Sequence, residues 1–335
     1  MPSPLTEILR AARTRTVPPH VGFAHYLGAL ALFFLSLEVI TGVLLMIYYR
    51  PGAGAAHYST AIIMDEVRLG WLVRSMHRWG SDMLIALGLL HMVRVYFSRA
   101  YQTPRQFNWA IGICLLALVM TLAFTGNLLP WDQYAYWHTD SARRTTASIP
   151  VLGNLLLALF WGGWEIGEEV LLRFYALHVG ILPWLAASLL SFHFVLIWRF
   201  GIKEPSRPRS GPTALPVPFF PDFLVNLLIA ALLVGGLLFS IAVLCPPSLS
   251  APADPISPAS QALPPWYILP VSELLRYLHG GSATLTVIAF YLFLFLVPVI
   301  DSKPVQTVGK KVLHRVLGCL VIAVWIFLGV RGYLR

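Results

Sequence analysis

The 335-residue sequence is short of charge. Asp, Glu, Lys and Arg make up only 12% of it, against 57% hydrophobic residues and a mean hydropathy of +0.71. A soluble domain carries about a quarter charged residues, so a soluble globular fold is excluded. Cysteine is scarce as well. Cys114, Cys245 and Cys319 stand far apart, none in a Cys-x-x-Cys-His pattern. That excludes a disulfide framework and covalent haem attachment through that motif. All three fall in or beside apolar runs and read as small packing residues. No secretory leader is expected either. The first twenty residues, MPSPLTEILRAARTRTVPPH, are polar and basic, with no apolar core and no cleavage site. They are expected to form a cytoplasmic arm along the membrane surface.

What the sequence does have is apolar runs long enough to cross a bilayer, which takes about 20 helical residues. Seven are expected, at 26–49, 72–97, 109–129, 174–200, 223–244, 283–300 and 312–330. The fold class is therefore all-α, a polytopic protein with seven transmembrane helices. Two connections, 131–173 and the Pro-rich 246–272, are longer than a simple link needs, and loops of that length are usually functional. The N-terminal side of this topology carries 14 of the 24 Lys and Arg against four acids, whereas the other side balances ten of each. The positive-inside rule then puts the N-terminus in the cytoplasm and the C-terminus outside. The sequence pI of 9.7 follows from this topology, with no nucleic acid needed.

Four of the ten histidines lie inside spans: His77 and His91 in the second, His178 and His193 in the fourth. Their spacings, 14 and 15 residues, bring each pair to one helix face, about 21 Å apart along the axis. The third span returns the chain, so the second and fourth run parallel. His77 then pairs with His178 at the outer side and His91 with His193 at the inner side. Two matched pairs can clamp two b-type haems in a four-helix di-haem bundle, and bis-histidine ligation suits electron transfer. A lone intramembrane histidine more often relays protons, and a haem-free proton-coupled transporter is the reading left if no haem is present. No inverted repeat or pair of broken helices supports it. Arg74, Arg94 and Arg173 lie close to the ligands and are candidates to pair with haem propionates, although snorkelling arginine is the ordinary alternative. Gly28 and Gly42 in the first span, and Gly112 and Gly126 in the third, repeat the 14-residue interval. Glycine lets a backbone approach a flat partner, although small residues also pack helix against helix.

Four segments carry a resemblance: RSMHRWGSDMLIALGLLHMVRVY at 74–96, LPWDQYAYW at 129–137, RFYALHVGILPWLAASLLSFH at 173–193, and ADPISPASQALPPWYILPVSELLRYL at 253–278. Together they resemble the cytochrome b/b6 family of Rieske–cytochrome b (cytochrome bc) complexes, over nearly the whole chain beyond residue 20. The 15-residue interval and the LPWDQ wording are closest to the plastid and cyanobacterial form, where a haem subunit and subunit IV are separate chains. Here the two look fused. The expected organisation is an arm at 1–25, a di-haem domain at 26–205, a linker at 206–221 and a subunit IV-like domain at 222–335.

The resemblance implies quinol oxidation at the outer side and quinone binding at the inner side. One electron would leave through a Rieske iron–sulfur protein towards a c-type cytochrome or other outer acceptor. The second would cross through both haems, with proton translocation. A homodimer in an energy-transducing, bacterial cytoplasmic membrane is implied too. The chain would be a redox subunit of a quinol oxidoreductase. A di-haem anchor serving an external dehydrogenase is the alternative without a Rieske partner.

Three departures from the family pattern bear on this. The outer quinol motif Pro-Glu-Trp-Tyr reads Pro264, Pro265, Trp266, Tyr267 here, so its carboxylate is missing. Quinol oxidation needs a proton acceptor; Glu273 and Glu165 are the candidates, and a site that no longer bifurcates electrons stays open. The split form attaches an extra haem through a cysteine in the first span, which here has none, so no covalent haem is expected. Glu38 lies within the first span, where an acid is expensive unless it has a function or a partner. Proton delivery to the inner quinone site is the role considered for it.

Overall fold

The computed structural model describes residues 14–18, 20–203, 216–257, 263–278, 281–302 and 307–335. Most of the expected arm and linker lie outside them. Apolar runs in lipid must satisfy their backbone internally, which leaves the helix as the local solution. The long helices are α1 (Leu27–Tyr48), α3 (Gly70–Phe97), α4 (Gln106–Leu128), α7 (Glu168–Phe200), α8 (Phe219–Leu244) and α11 (Val308–Tyr333). Among the described residues these six are long and apolar enough to span a membrane, and α10 (Gly281–Ile300) adds a shorter apolar stretch. The protein is thus an all-α polytopic membrane protein, with helices where the apolar runs lie.

Between the spans sit shorter helices: α2 (Ala56–Asp65), α5 (Gln133–Ala147), α6 (Gly153–Leu156) and α9 (Leu269–Tyr277). The connection read as a long loop at 131–173 is therefore partly helical. Asp132 starts α5 as its N-cap, its carboxylate accepting from the Ala135 amide at 2.9 Å. Helix α7 begins earlier than its apolar run because Glu168 and Glu169 fill its polar first turn, where acids favour the helix dipole.

The chain divides into two compact units. The first comprises Met1–Thr41, Leu72–Ala100 and Gly201–Pro247. In it a short strand β1 (Thr16–Val17) pairs antiparallel with β2 (Val217–Pro218), and Tyr26 packs edge-on against Phe223. Side chains of α3 fasten the far end of α8: Arg74 donates to the Pro247 carbonyl at 2.7 Å and Trp79 to that of Cys245 at 2.8 Å.

The second unit comprises Gly42–Trp71, Tyr101–Phe200 and Ser248–Arg335. Here α4 packs along α7, and α9 along α11. The two long connections knit together. Gln133 N–H donates to the Ala251 carbonyl, Ala253 N–H to that of Trp131, and the Tyr134 hydroxyl to that of Leu263 at 2.6 Å. Beneath them Leu128, Tyr136, Leu157, Trp161, Val170 and Phe174 form a buried apolar core. At the other end of α4, Trp109 donates to the Leu294 carbonyl and Tyr101 to Asp301, both within 2.7 Å.

Candidate functional site

The spacing put two histidines on each of two helices, and α3 carries His77 and His91 while α7 carries His178 and His193. In the first unit, the Nδ1 of His77 lies 2.9 Å from the Thr41 hydroxyl and 3.1 Å from Oε2 of Glu38. The Thr41 hydroxyl donates its own proton to the Leu37 carbonyl at 2.7 Å, so its oxygen accepts from Nδ1–H. That tautomer leaves the lone pair on Nε2, the form an axial iron ligand needs. His91 lies against α1 at Gly28, where an added Cβ would come within 3.1 Å of the ring.

In the second unit, His178 sits in a π turn, Ala176–Ile181, that interrupts α7. Such turns recur at functional sites. Its Nδ1 donates to the Leu122 carbonyl at 2.9 Å and approaches the Thr125 hydroxyl at 3.3 Å. Thr125, like Thr41, donates to a carbonyl one turn back, that of Thr121, at 2.9 Å. A Cβ at Gly126 would lie 2.6 Å from Cε1 of His178, and one at Gly112 would lie 3.7 Å from His193.

The residues therefore fit a bis-histidine haem protein on two counts. The Nδ1 atoms of His77 and His178 are engaged by the protein, which fixes the ring and directs Nε2 to a ligand role. Glycines of the 14-residue repeat, Gly28, Gly112 and Gly126, stand where the neighbouring helix passes a histidine ring. Of the arginines, Arg74 is tied to Pro247 as above. Arg173 donates to the Ala158 and Leu159 carbonyls at 2.7 and 3.0 Å, and Arg94 lies in the last turn of α3.

A cavity of about 300 Å³ opens in the second unit between α4, α9, α10 and α11. Its walls include Thr121, Phe124, Tyr267, Ile268, Tyr291 and Trp325. They are mostly apolar, with hydroxyls from Thr121, Tyr267 and Tyr291, the composition of a site for a flat, weakly polar ligand. Of the Pro264–Tyr267 motif, Tyr267 reaches the wall. Pro265 accepts from the amides of Ile268 and Leu269 and so starts α9, while Trp266 is 42% exposed and packs edge-on against Tyr267.

Neither acid singled out for proton transfer is among the residues that line this cavity. Glu165 is exposed in the connection before α7. Glu273 is buried, 1% exposed, and ion-paired with Arg331 at 3.2 Å, Arg335 at 3.5 Å and Arg276 at 3.8 Å. Its Oε1 fastens α9 onto α11 through Arg331 and also accepts from the Tyr277 hydroxyl at 3.1 Å. Glu38, considered above for proton delivery to the inner quinone site, reaches His77, the ligand expected at the outer side. Outside the membrane, Tyr136 has its phenol pushed up, first by burial and then by the nearby Asp140 carboxylate.

Sequence reasoning missed the cavity wall on α4, α10 and α11, and it missed Thr41 and Thr125. The threonines did leave a signal. Each stands directly before a glycine of the repeat, Gly42 and Gly126.

Comparison with known proteins adds the following. Residues 12–201 match the family described as Cytochrome b/b6/petB, and residues 252–335 that described as Cytochrome b(C-terminal)/b6/petD. The chain is 33% identical over 326 residues to the cytochrome bc complex cytochrome b subunit of Chlorobaculum thiosulfatiphilum, covering 95% of this chain and 76% of that one. It is 38% identical over 201 residues to cytochrome b6 of Synechococcus sp. (strain JA-3-3Ab), covering 60% of this chain and 94% of the relative. Among solved structures, a chain of a hyperthermophilic respiratory Complex III superposes with a TM-score of 0.81 at 24% identity, covering 98% of this chain and 96% of that one. This last likeness shows the fold.

Proposed function

Because the chain belongs to the cytochrome b/b6 family, with the haem-subunit and subunit IV parts in one polypeptide, we propose that it is the di-haem, quinol-oxidising subunit of a Rieske–cytochrome b complex. The observation that carries this is a single stretch of α4. Thr121 and Phe124 line the cavity, while Leu122 and Thr125 hold the Nδ1 proton of His178 and Gly126 abuts its ring. A quinol-sized space and the surroundings of a haem ligand thus draw on one six-residue stretch, 121–126.

In this reading His77 with His178, and His91 with His193, would hold two b-type haems, which would supply one-electron transfer. Thr41, Thr125 and Leu122 fix the tautomer and orientation of their histidines. Arg74, Arg94 and Arg173 are the propionate partners. The apolar walls around Phe124 and Trp325 take the quinol ring and exclude water. The hydroxyls of Tyr267, Tyr291 and Thr121 offer hydrogen bonds to its polar edge. None of the described residues that line the cavity carries a carboxylate, so in this reading the quinol proton leaves through those hydroxyls or through ordered water. The Rieske protein accepts one electron at the outer side, and quinone is reduced at the inner side. The N-terminus lies in the cytoplasm and the C-terminus outside. A homodimer within the larger complex goes with this assignment.

Anaerobic redox titration of the complex purified around this chain tests the reading. Two b-type components with separate midpoints are expected. Val287 on α10 also lines the cavity, and Val287→Trp, which fills it, is expected to abolish reduction by quinol while dithionite still reduces both components. A single component, or a V287W complex reduced by quinol at the parent rate, sinks it.

A further inference from the structure

Glu38 is an acid in the middle of a membrane-spanning helix, at a cost that demands a partner. Its side chain is only 12% exposed, and its partner is the Nδ1 of His77 at 3.1 Å. The charges that face it, Arg78 and Asp82 on α3, are committed to each other at 2.6 Å. Its second oxygen, Oε1, rests over Gly80, where a Cβ would collide with it. A helix turn of α3 is therefore cut away to let a carboxylate stand beside one histidine. His178, held by a threonine in the same manner, has a neutral backbone carbonyl in that place. The difference is chemical. A carboxylate accepting from Nδ1–H makes the imidazole a stronger electron donor through Nε2.

We infer that Glu38 is a positioning residue that lowers the reduction potential of the haem ligated by His77, through a carboxylate–histidine–iron relay. The inference rests on the di-haem reading above. A stronger donor stabilises the ferric state, so this haem gives up its electron more readily and passes it onward across the membrane. A lower potential at this haem favours transfer from it to the other.

The test is an anaerobic redox titration of the intact complex carrying Glu38→Gln, with Gly80→Ala as a second variant that displaces the carboxylate and leaves Glu38 in the sequence. The His77 component is identified as the one lost in His77→Ala. In E38Q its reduction constant is expected to rise about tenfold, about 59 mV for one electron, with the other component unmoved. G80A is expected to move the same component in the same direction. Two components that both stay at the parent midpoints in E38Q overturn the inference and leave the di-haem reading standing. So does a shift equal in both components. Should E38Q fail to assemble, an unshifted G80A overturns it. Fewer than two components in the parent complex is a different result, and counts against the di-haem reading itself.

Discussion

In the first unit a threonine standing before a glycine accepts a hydrogen bond from Nδ1–H of His77 while donating its own proton to the carbonyl of Leu37. In the second unit another threonine standing before a glycine does the same at His178, donating to Thr121. The two devices differ in their second acceptor. It is the Glu38 carboxylate in one and the Leu122 carbonyl in the other. They differ also in their frame, since His178 lies in a π turn and His77 in regular helix. One steric and tautomeric problem has been solved the same way twice, and the electronic surroundings were varied on top of it. Orientation of a ligand and tuning of a ligand are thus separable here, and each can be attacked alone.

The largest effect is expected from removing the ligands themselves. His77→Ala and His178→Ala should each abolish one b-type component, and it should be the same one in both proteins. Pyridine haemochromogen stoichiometry would fall from two haems per chain to one, and the surviving midpoint should coincide between the variants. If the two variants lose different components, the pairing read from the parallel spans is wrong, and the likeness between the two threonine devices loses its meaning.

Next in size is steric crowding of the rings. Cβ atoms at Gly126, Gly28 and Gly112 would stand 2.6, 3.1 and 3.7 Å from the nearest ring atom of His178, His91 and His193. Gly126→Ala must push the ring or the helix and is expected to cost about 1–3 kcal/mol, as overpacking does. Gly112→Ala meets an ordinary contact distance and should change stability by less than about 0.5 kcal/mol, with Gly28→Ala between them. Haem release on heating measures the order. Equal loss in all three would mean that these glycines serve helix packing in general and not the rings.

How much of this could be read beforehand differs by residue. The histidine pairs and the glycine repeat were legible because spacing along a helix maps directly onto depth and face. The spans were legible because lipid permits little besides helix. Thr41 and Thr125 were half legible, as partners of glycines already singled out. Phe124, Tyr291 and Trp325 were not legible, since in a helix apolar on every side no periodicity marks the face that lines a cavity. The acids misled for a related reason. Sequence shows that Glu38 is expensive where it stands and offers Glu273 as a proton acceptor, but only folded contacts show what each one holds. Glu38 turned out to serve His77, and Glu273 to serve α9 and α11.

The same contrast between holding and reacting sharpens the role of Glu273. It is 1% exposed, but its arginine partners are 41–59% exposed, so solvent discounts the ion pairs. Glu273→Gln is expected to cost about 1–2 kcal/mol and to lower the thermal midpoint of the complex by about 2–4 °C. Quinol-driven turnover should keep its pH profile, with a modest rise in KM from a looser cavity wall. A fall in kcat of tenfold or more, with a displaced acid limb, would instead make Glu273 the proton acceptor that Pro265 leaves wanting.

The smallest effect sits at the edge of the first unit, before α1. His25 accepts a hydrogen bond from the Gly22 amide on Nδ1 at 3.2 Å and packs edge-on against His20. Burial, then the charge of Arg94, hold its pKa down to about 4, below the ordinary 6.5. The sign follows from proton binding. Between those two values the unfolded chain binds a proton that the folded chain refuses, so the stability His25 contributes is present above 6.5 and is lost as pH falls towards 4. A protonated Nδ1 would also forfeit the Gly22 amide. Amide exchange around residues 22–26, corrected for its intrinsic pH dependence, should therefore show weaker protection at pH 5 than at pH 7. His25→Gln, which keeps an acceptor and cannot titrate in this range, should flatten that difference while leaving both haem midpoints untouched. Protection that falls equally in parent and variant would place the pH sensitivity elsewhere in this segment, with His20 the next group to examine.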